Sequence, residues 1–344
     1  MKGCLFVKKL LMLALSVISL VTVAGCGVTN QTATNGIGNT QKQNAVKPLS
    51  VLYAGSMTKV MEQKIRPSVN QQFGLAFQGE GKGSTALAQM IRSGLSQPDV
   101  FISASPDVFG KLLMGSNNHN IVKWYMTLAE DELVIAYSPK SQFKEKLDAA
   151  AKGQVPWYQV LEEKGFRLGR TDPLLDPKGT DTIFMCELAS NYYHQPNLAK
   201  QILGSNENPN QVFPEESLLA QLTSGQVDAI IAYKHEAVEW GTPYITLPDQ
   251  INLGNAKLAK EYGKVSFESK DGKVEKGAPI VFTITIPNTA SNETGAEEFV
   301  KYMVSGDGHD ILMKDGFTPI ATKVAGNESD VPQSLQSLNQ GKSK

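Results

Sequence analysis

Three times within sixty residues an apolar run ends in a glycine- or serine-containing turn and gives way to a helical pattern, and this repetition narrows the fold more than any other feature. "LSVLYAGSM" (49–57) leads into "TKVMEQKIRPSVNQQF", "LAFQGEGKGST" into "ALAQMIRSG", and "PDVFISASPDVFGKLL" passes from a buried strand to a helix start near Ser105-Pro106. Apolar residues bunched as strands and then spaced at helical period mark βα units. Units in succession give α/β architecture with recognition loops at the carboxyl ends of the strands.

Further along, "DELVIAYSP" (131–139) supplies another strand and a crossing between lobes. "FRLGRTDPLLDPKGTDTIFMCELASNYYHQP" reads as strand, proline-restricted loop and helix, with Thr180/Asp181 available as its cap. "EESLLAQLTSGQVDAIIAYKHEAVEWG" reads as helix, turn, strand and loop, and "PYITLP" leads back toward the first lobe. Residues 254–279 form a polar surface hairpin, "IVFTITIP" an alternating strand, and "NETGAEEFVKYMVSGDGHDILMKDGF" at least one helix.

The chain's two ends read differently. "MKGCLFVKKLLMLALSVISLVTVAGC" has a basic start, an apolar run and small residues before Cys26, the layout of an export signal. Val23-Ala24-Gly25-Cys26 resembles a bacterial lipoprotein box, which implies a diacylated Cys26 holding the protein outside the cytoplasmic membrane. "GVTNQTATNGIGNTQKQNAV" (27–46) lacks core periodicity and reads as a flexible tether, and the polar tail from about 323 is expected to fray.

Charge and cysteine usage exclude several classes. With 33 basic and 34 acidic residues in 344, no broad footprint for nucleic acid exists, although backbone N–H groups and hydroxyls bind a small anion without one. Of Cys4, Cys26 and Cys186 only the last would remain after export and lipidation, so no internal disulfide framework is expected. Cys186 in "IFMCELASNYY" reads as helix packing, and no close Cys/His quartet suggests zinc.

Four stretches then occur in an informative order: "YAGSM", "GEGKGSTALAQMI", "DVFISASPD", and "GRTDPLLDPKGTDT" followed by "DAIIAYKHEA". Together with the lipobox they resemble the periplasmic or lipid-anchored molybdate/tungstate-binding proteins of ABC importers, particularly the archaeal type, over roughly 48–322. The resemblance implies a two-lobed periplasmic-binding-protein α/β fold with a hinge. Its boundaries would be signal 1–25, lipidated Cys26 and spacer 26–47, lobe one 48–135 plus 248–322, lobe two 136–247, and tail 323–344.

Chemistry and resemblance together nominate residues. Ser56 and Ser84 follow glycines at helix starts, where each hydroxyl either caps the helix or donates to an anion; the resemblance favours anion contact. Ser103 and Ser105 read as caps or loop supports, Lys82 as a surface charge or anion partner, and Asp99 and Asp107 as turn or cap acceptors. In the DPxxDPxG pattern, Asp176 is the expected contact to molybdenum or tungsten of the oxyanion, and Asp172 the brace of the loop.

Tyr233 reads as hydroxyl donor or pocket wall, Lys234 as anion partner or surface charge, and Glu236 as an offset ligand or a cap for "EAVEW". The relatives carry a second acidic residue in a sequence like F-E-Y-R, and here Ala232 occupies its place. Six-fold coordination with two protein carboxylates and tetrahedral hydrogen-bonded recognition therefore both stay open.

The function expected is capture of molybdate or tungstate and delivery to a permease with a cytoplasmic ATPase, by a monomer with no cofactor and no enzymatic activity. Alternatives are sulfate, phosphate or another small solute, a hydrolase using Asp172 and Asp176, or a lipid-anchored sensor or adhesion module.

Overall fold

The computed structural model describes residues 48–269, 272 and 274–341. The signal segment, Cys26 and the spacer lie outside them. No helix among the described residues is long and apolar enough to cross a membrane.

The first sheet begins with β1 (Pro48–Ala54), β2 (Ala76–Lys82) and β3 (Val100–Ser103), the strands of the three repeated units. β1 runs parallel to both of the others. From Leu49 to Ala54 it is buried apart from the partly covered Ser50, as a central parallel strand requires when both faces are covered. β4 (Trp124–Asp131), β12 (Ile280–Thr285) and β13 (Val324–Gly326) complete the order β13-β4-β12-β3-β1-β2, with β12 antiparallel to β3 and β4.

The expected fraying of the tail is corrected here. Val324–Gly326 pairs with Trp124–Met126 as an edge strand, and Val331 and Leu335 beyond it are buried in the main core.

The second sheet has the order β7-β6-β8-β5-β9, formed by β5 (Leu133–Tyr137), β6 (Leu168–Thr171), β7 (Val212–Phe213), β8 (Ala229–Tyr233) and β9 (Tyr244–Thr246). β5 and β8 are wholly buried, and β9 pairs with β5 before the chain returns to the first sheet. At the crossings Asn252 donates to Glu132 Oε2 at 2.8 Å and Ile280 N–H to Leu253 O at 2.9 Å. The outgoing and returning segments are thereby tied together. β10 (Ser266–Glu268) and β11 (Val274–Lys276) form the antiparallel hairpin within the polar excursion.

Helices pack by their apolar spacing. In Ser84–Arg92 the buried positions include Leu87, Ala88 and Ile91, one face at i, i+1, i+4. Pro177–Tyr192 is buried nearly all round, with Cys186 at 0% exposure and its thiol pushed up to about 12 by burial. That thiol is a packing group, as its sequence context suggests.

Candidate functional site

The carboxyl ends of β1, β2 and β3 place their loops side by side. After β1 the chain turns at Gly55 into a helical run, and Ser56, 5% exposed, presents a buried hydroxyl with no hydrogen-bond partner. After β2, Ser84 opens its helix behind Gly83 and accepts the Ala104 N–H at 3.1 Å, which joins the second loop to the third. A serine that accepts still has a proton to donate. Ser103 and Ser105 bond locally, Ser105 receiving the Asp107 N–H, so they support the loop, while the helix Asp107–Leu112 has Pro106 at its N-cap and no side-chain cap. Asp99 accepts N–H groups from Ser50, Ser291 and Asn292, and Lys82 pairs with Glu80 at the surface.

Opposite these loops stands the acidic segment that follows β6. Asp172 Oδ1 accepts the Leu174 N–H at 2.8 Å, the bracing role expected of it. Asp176 is the N-cap of Pro177–Tyr192: its Oδ1 accepts the Lys178 N–H at 2.8 Å and the Thr171 hydroxyl at 3.3 Å. The cap expected at Thr180/Asp181 is thereby corrected, because an aspartate before a proline at the first helical position satisfies the free N–H groups earlier. Thr180 instead donates to Pro173 O at 3.0 Å, and Asp181 receives the Tyr233 hydroxyl at 3.1 Å. Gly179 lies inside the helix, where a Cβ would come 2.6 Å from the Asp172 carbonyl carbon, so its missing side chain lets helix and loop touch.

The helix start carries a group that sequence reading did not single out. Lys178, 1% exposed, donates from Nζ to Glu215 Oε1 and Glu236 Oε2, both at 2.7 Å, and lies 5.2 Å from the centre of the Tyr233 ring. Glu236 also accepts the Tyr233 N–H at 2.8 Å, its expected capping role. Lys234 pairs with Glu132 at the surface. Ala232 packs with Leu218, Leu222 and Ile230 in an apolar cluster.

The two sets of loops meet. Ala86 N–H donates to Leu175 O at 3.0 Å, and a Cβ on Gly83 would lie 2.4 Å from Leu175 O and 3.0 Å from Asp176 Oδ2. A Cβ on Gly55 would lie 2.5 Å from Glu215 Cγ. His235 reaches Ser56 O with Nε2 at 3.1 Å and Asp131 with Nδ1. A cavity of about 340 Å³ opens beside the contact, lined by Gly83, Ala86, Thr171, Leu175, Asp176 and Glu215 among others. Gly83, next to Ser84, thus meets Asp176 at one contact and Gly55, next to Ser56, meets Glu215 at another, while Ser56, Ser84 and Tyr233 are not among the residues lining the cavity and the Tyr233 hydroxyl is engaged by Asp181.

Burial sets the electrostatics. Asp176 is pushed up to about 7 by desolvation and then by Glu215, against the pull of Lys178 and its own backbone bond. Glu236 is pushed up to about 8 by desolvation, against Lys178. Asp181 is raised by the same cause. Desolvation opposes the charges of Lys178 and His235, but Glu215 and Glu236 outweigh it for the first and Asp131 for the second, so both are raised. The contact therefore combines the free hydroxyl of Ser56 with carboxyls whose affinity for protons burial raises. Among the described residues no group of three or more His, Cys, Asp and Glu side chains could hold a metal ion.

Residues 49–318 match the family of bacterial extracellular solute-binding proteins. The chain belongs to that family. A Haloferax volcanii protein named for molybdenum binding in an ABC transporter is 33% identical over 300 residues, 87% of this chain and 90% of the relative. The molybdate/tungstate-binding protein of Thermococcus kodakarensis is 27% identical over 353 residues, 95% and 96% of the two chains. The solved periplasmic molybdate-binding protein of Azotobacter vinelandii aligns with a TM-score of 0.53 at 18% identity, covering 80% of this chain and 99% of that one. That likeness bears on the fold, a two-lobed α/β architecture.

Proposed function

We propose that this solute-binding protein captures molybdate or tungstate between its lobes outside the cell membrane and hands it to an ABC permease driven by a cytoplasmic ATPase. Cys26, lipidated, would hold the monomer at the membrane while residues 27–46 let the lobes stand away from it. The observation that carries the reading is the buried, unpartnered hydroxyl of Ser56, next to the Gly55 that packs on Glu215 of the cavity wall. A buried hydroxyl without a partner costs free energy that a ligand oxygen would recover. The printed names of the Haloferax and Thermococcus relatives support the choice of oxyanion. Ser56, Ser84 and Asp176 are the proposed contacts, with Tyr233 as the wall that holds Lys178.

Competition calorimetry against sulfate and phosphate tests this. Molybdate and tungstate should displace both, and preferential sulfate or phosphate binding would overturn the specificity. Asp176→Ala should weaken tungstate binding more than Asp172→Ala. Because the alanine also removes a helix cap, a loss of about 1 kcal/mol of stability, Asp176→Asn keeps the cap and isolates the ligand contact. Equal or reversed effects of the two aspartates would reject Asp176 as the contact.

A further inference from the structure

Glu215 is the carboxyl of the second lobe that enters the first. It heads the short turn Glu215–Ser217 leading into the helix Leu218–Ser224, whose Leu218 and Leu222 pack on Ala232. Only a glycine at position 55 leaves room for its Cγ. It is 7% exposed, and one carboxyl oxygen is held by Lys178. Glu236 is held by Lys178 in the same way, and its carboxyl faces that of Glu215 as a hydrogen-bonded pair.

The surrounding charges fix what this geometry permits. Lobe two contributes the carboxyls Asp176, Asp181, Glu215 and Glu236, with Glu216 and Asp172 lining the adjoining cavity, against the buried ammonium of Lys178 and the buried guanidinium of Arg170 that acts on Asp172. From lobe one, Lys82 is already paired with Glu80. His235 is paired with Asp131, and Glu239, itself raised by burial, lies beyond it. A dianion entering a fully ionised cluster would meet excess negative charge at low dielectric.

We infer that Glu215 couples this pocket to protons: by crowding a further carboxyl onto one lysine, it makes capture of a fully deprotonated oxyanion carry a proton into the site. This rests on the oxyanion reading proposed above. The raised affinity of Asp176 and Glu236 for protons agrees with it. Molybdate, tungstate and sulfate only accept hydrogen bonds, so a carboxyl of the protein must bring the proton.

The test is calorimetry of the purified protein with sodium molybdate between pH 6 and 9, in buffers of different ionisation enthalpy. About one proton should be taken up per molybdate at pH 8, and affinity should fall about tenfold per pH unit once the carboxyls have ionised. Glu215→Gln, which keeps an acceptor for Lys178, should flatten that profile and bind molybdate several-fold more tightly at pH 8.5. Wild-type binding with no proton uptake and no pH dependence would overturn the inference while leaving the oxyanion reading intact. So would a folded Glu215→Gln protein that binds more weakly with an unchanged slope, since Glu215 would then only anchor Lys178. The wild-type proton count stands on its own if that variant does not fold. Failure to bind molybdate or tungstate at any pH would overturn the underlying reading, and the inference with it.

Discussion

Lys178→Met is expected to destabilise the protein by about 3–5 kcal/mol at pH 8, the loss typical when one partner of a buried ion cluster is removed. Set against a total stability on the order of 5–15 kcal/mol, that is a large fraction. Methionine fills much of the same space but leaves Glu215 and Glu236 facing each other without the ammonium that each contacts at 2.7 Å. The effect should depend on pH with a definite sign. Asp176 and Glu236 have folded pKa values raised above those of the unfolded chain, so the stability they contribute is full below about pH 4 and is lost as pH rises through about 7 and 8. The variant should therefore be least affected at pH 5, where the carboxyls can take protons, and most affected at pH 8. Urea unfolding at both values measures this, and an equal loss at the two would show that Lys178 stabilises by packing rather than by charge.

Gly83→Ala should weaken oxyanion capture by roughly 10–100-fold while leaving the lobes folded. The backbone at Gly83 has φ −51° and ψ 130°, which any residue adopts, so the open protein is not strained. At the contact with the Asp172–Asp176 loop a Cβ would stand 2.4 Å from the backbone oxygen of Leu175, and backbone cannot swing aside as a side-chain end can. Overpacking of this kind costs about 1–3 kcal/mol, and each 1.4 kcal/mol is a factor of ten in affinity. Calorimetry measures the affinity and small-angle scattering the lobe separation. Unchanged affinity would mean that capture does not draw Gly83 onto Leu175.

These two residues mark where sequence reading stops. The strands of β1, β2 and β3 with their Gly/Ser loops were legible because each unit carries its own periodicity and punctuation. Asp172 as a brace and Cys186 as packing were legible for the same local reason. The cluster around Lys178 was not: Glu215 lies 37 residues away and Glu236 58 residues away, and only the second sheet brings them together. "PEES" looks like any helix start, and a lysine in a polar loop looks solvated. The cap at Asp176 had a local signal, Asp-Pro ahead of an apolar helix, which the later Thr180/Asp181 pair obscured. The edge strand Val324–Gly326 is three residues long, too short for alternation to show.

The central claim is a tungstate or molybdate ion held between the Ser56 and Ser84 loops and the Asp176 loop. Crystals grown with sodium tungstate and measured at the tungsten absorption edge test it most directly. One dominant anomalous peak should appear within contact distance of the Ser56 and Ser84 hydroxyls and of Asp176. A map with no peak between the lobes, or with tungsten only at the surface, would contradict the account.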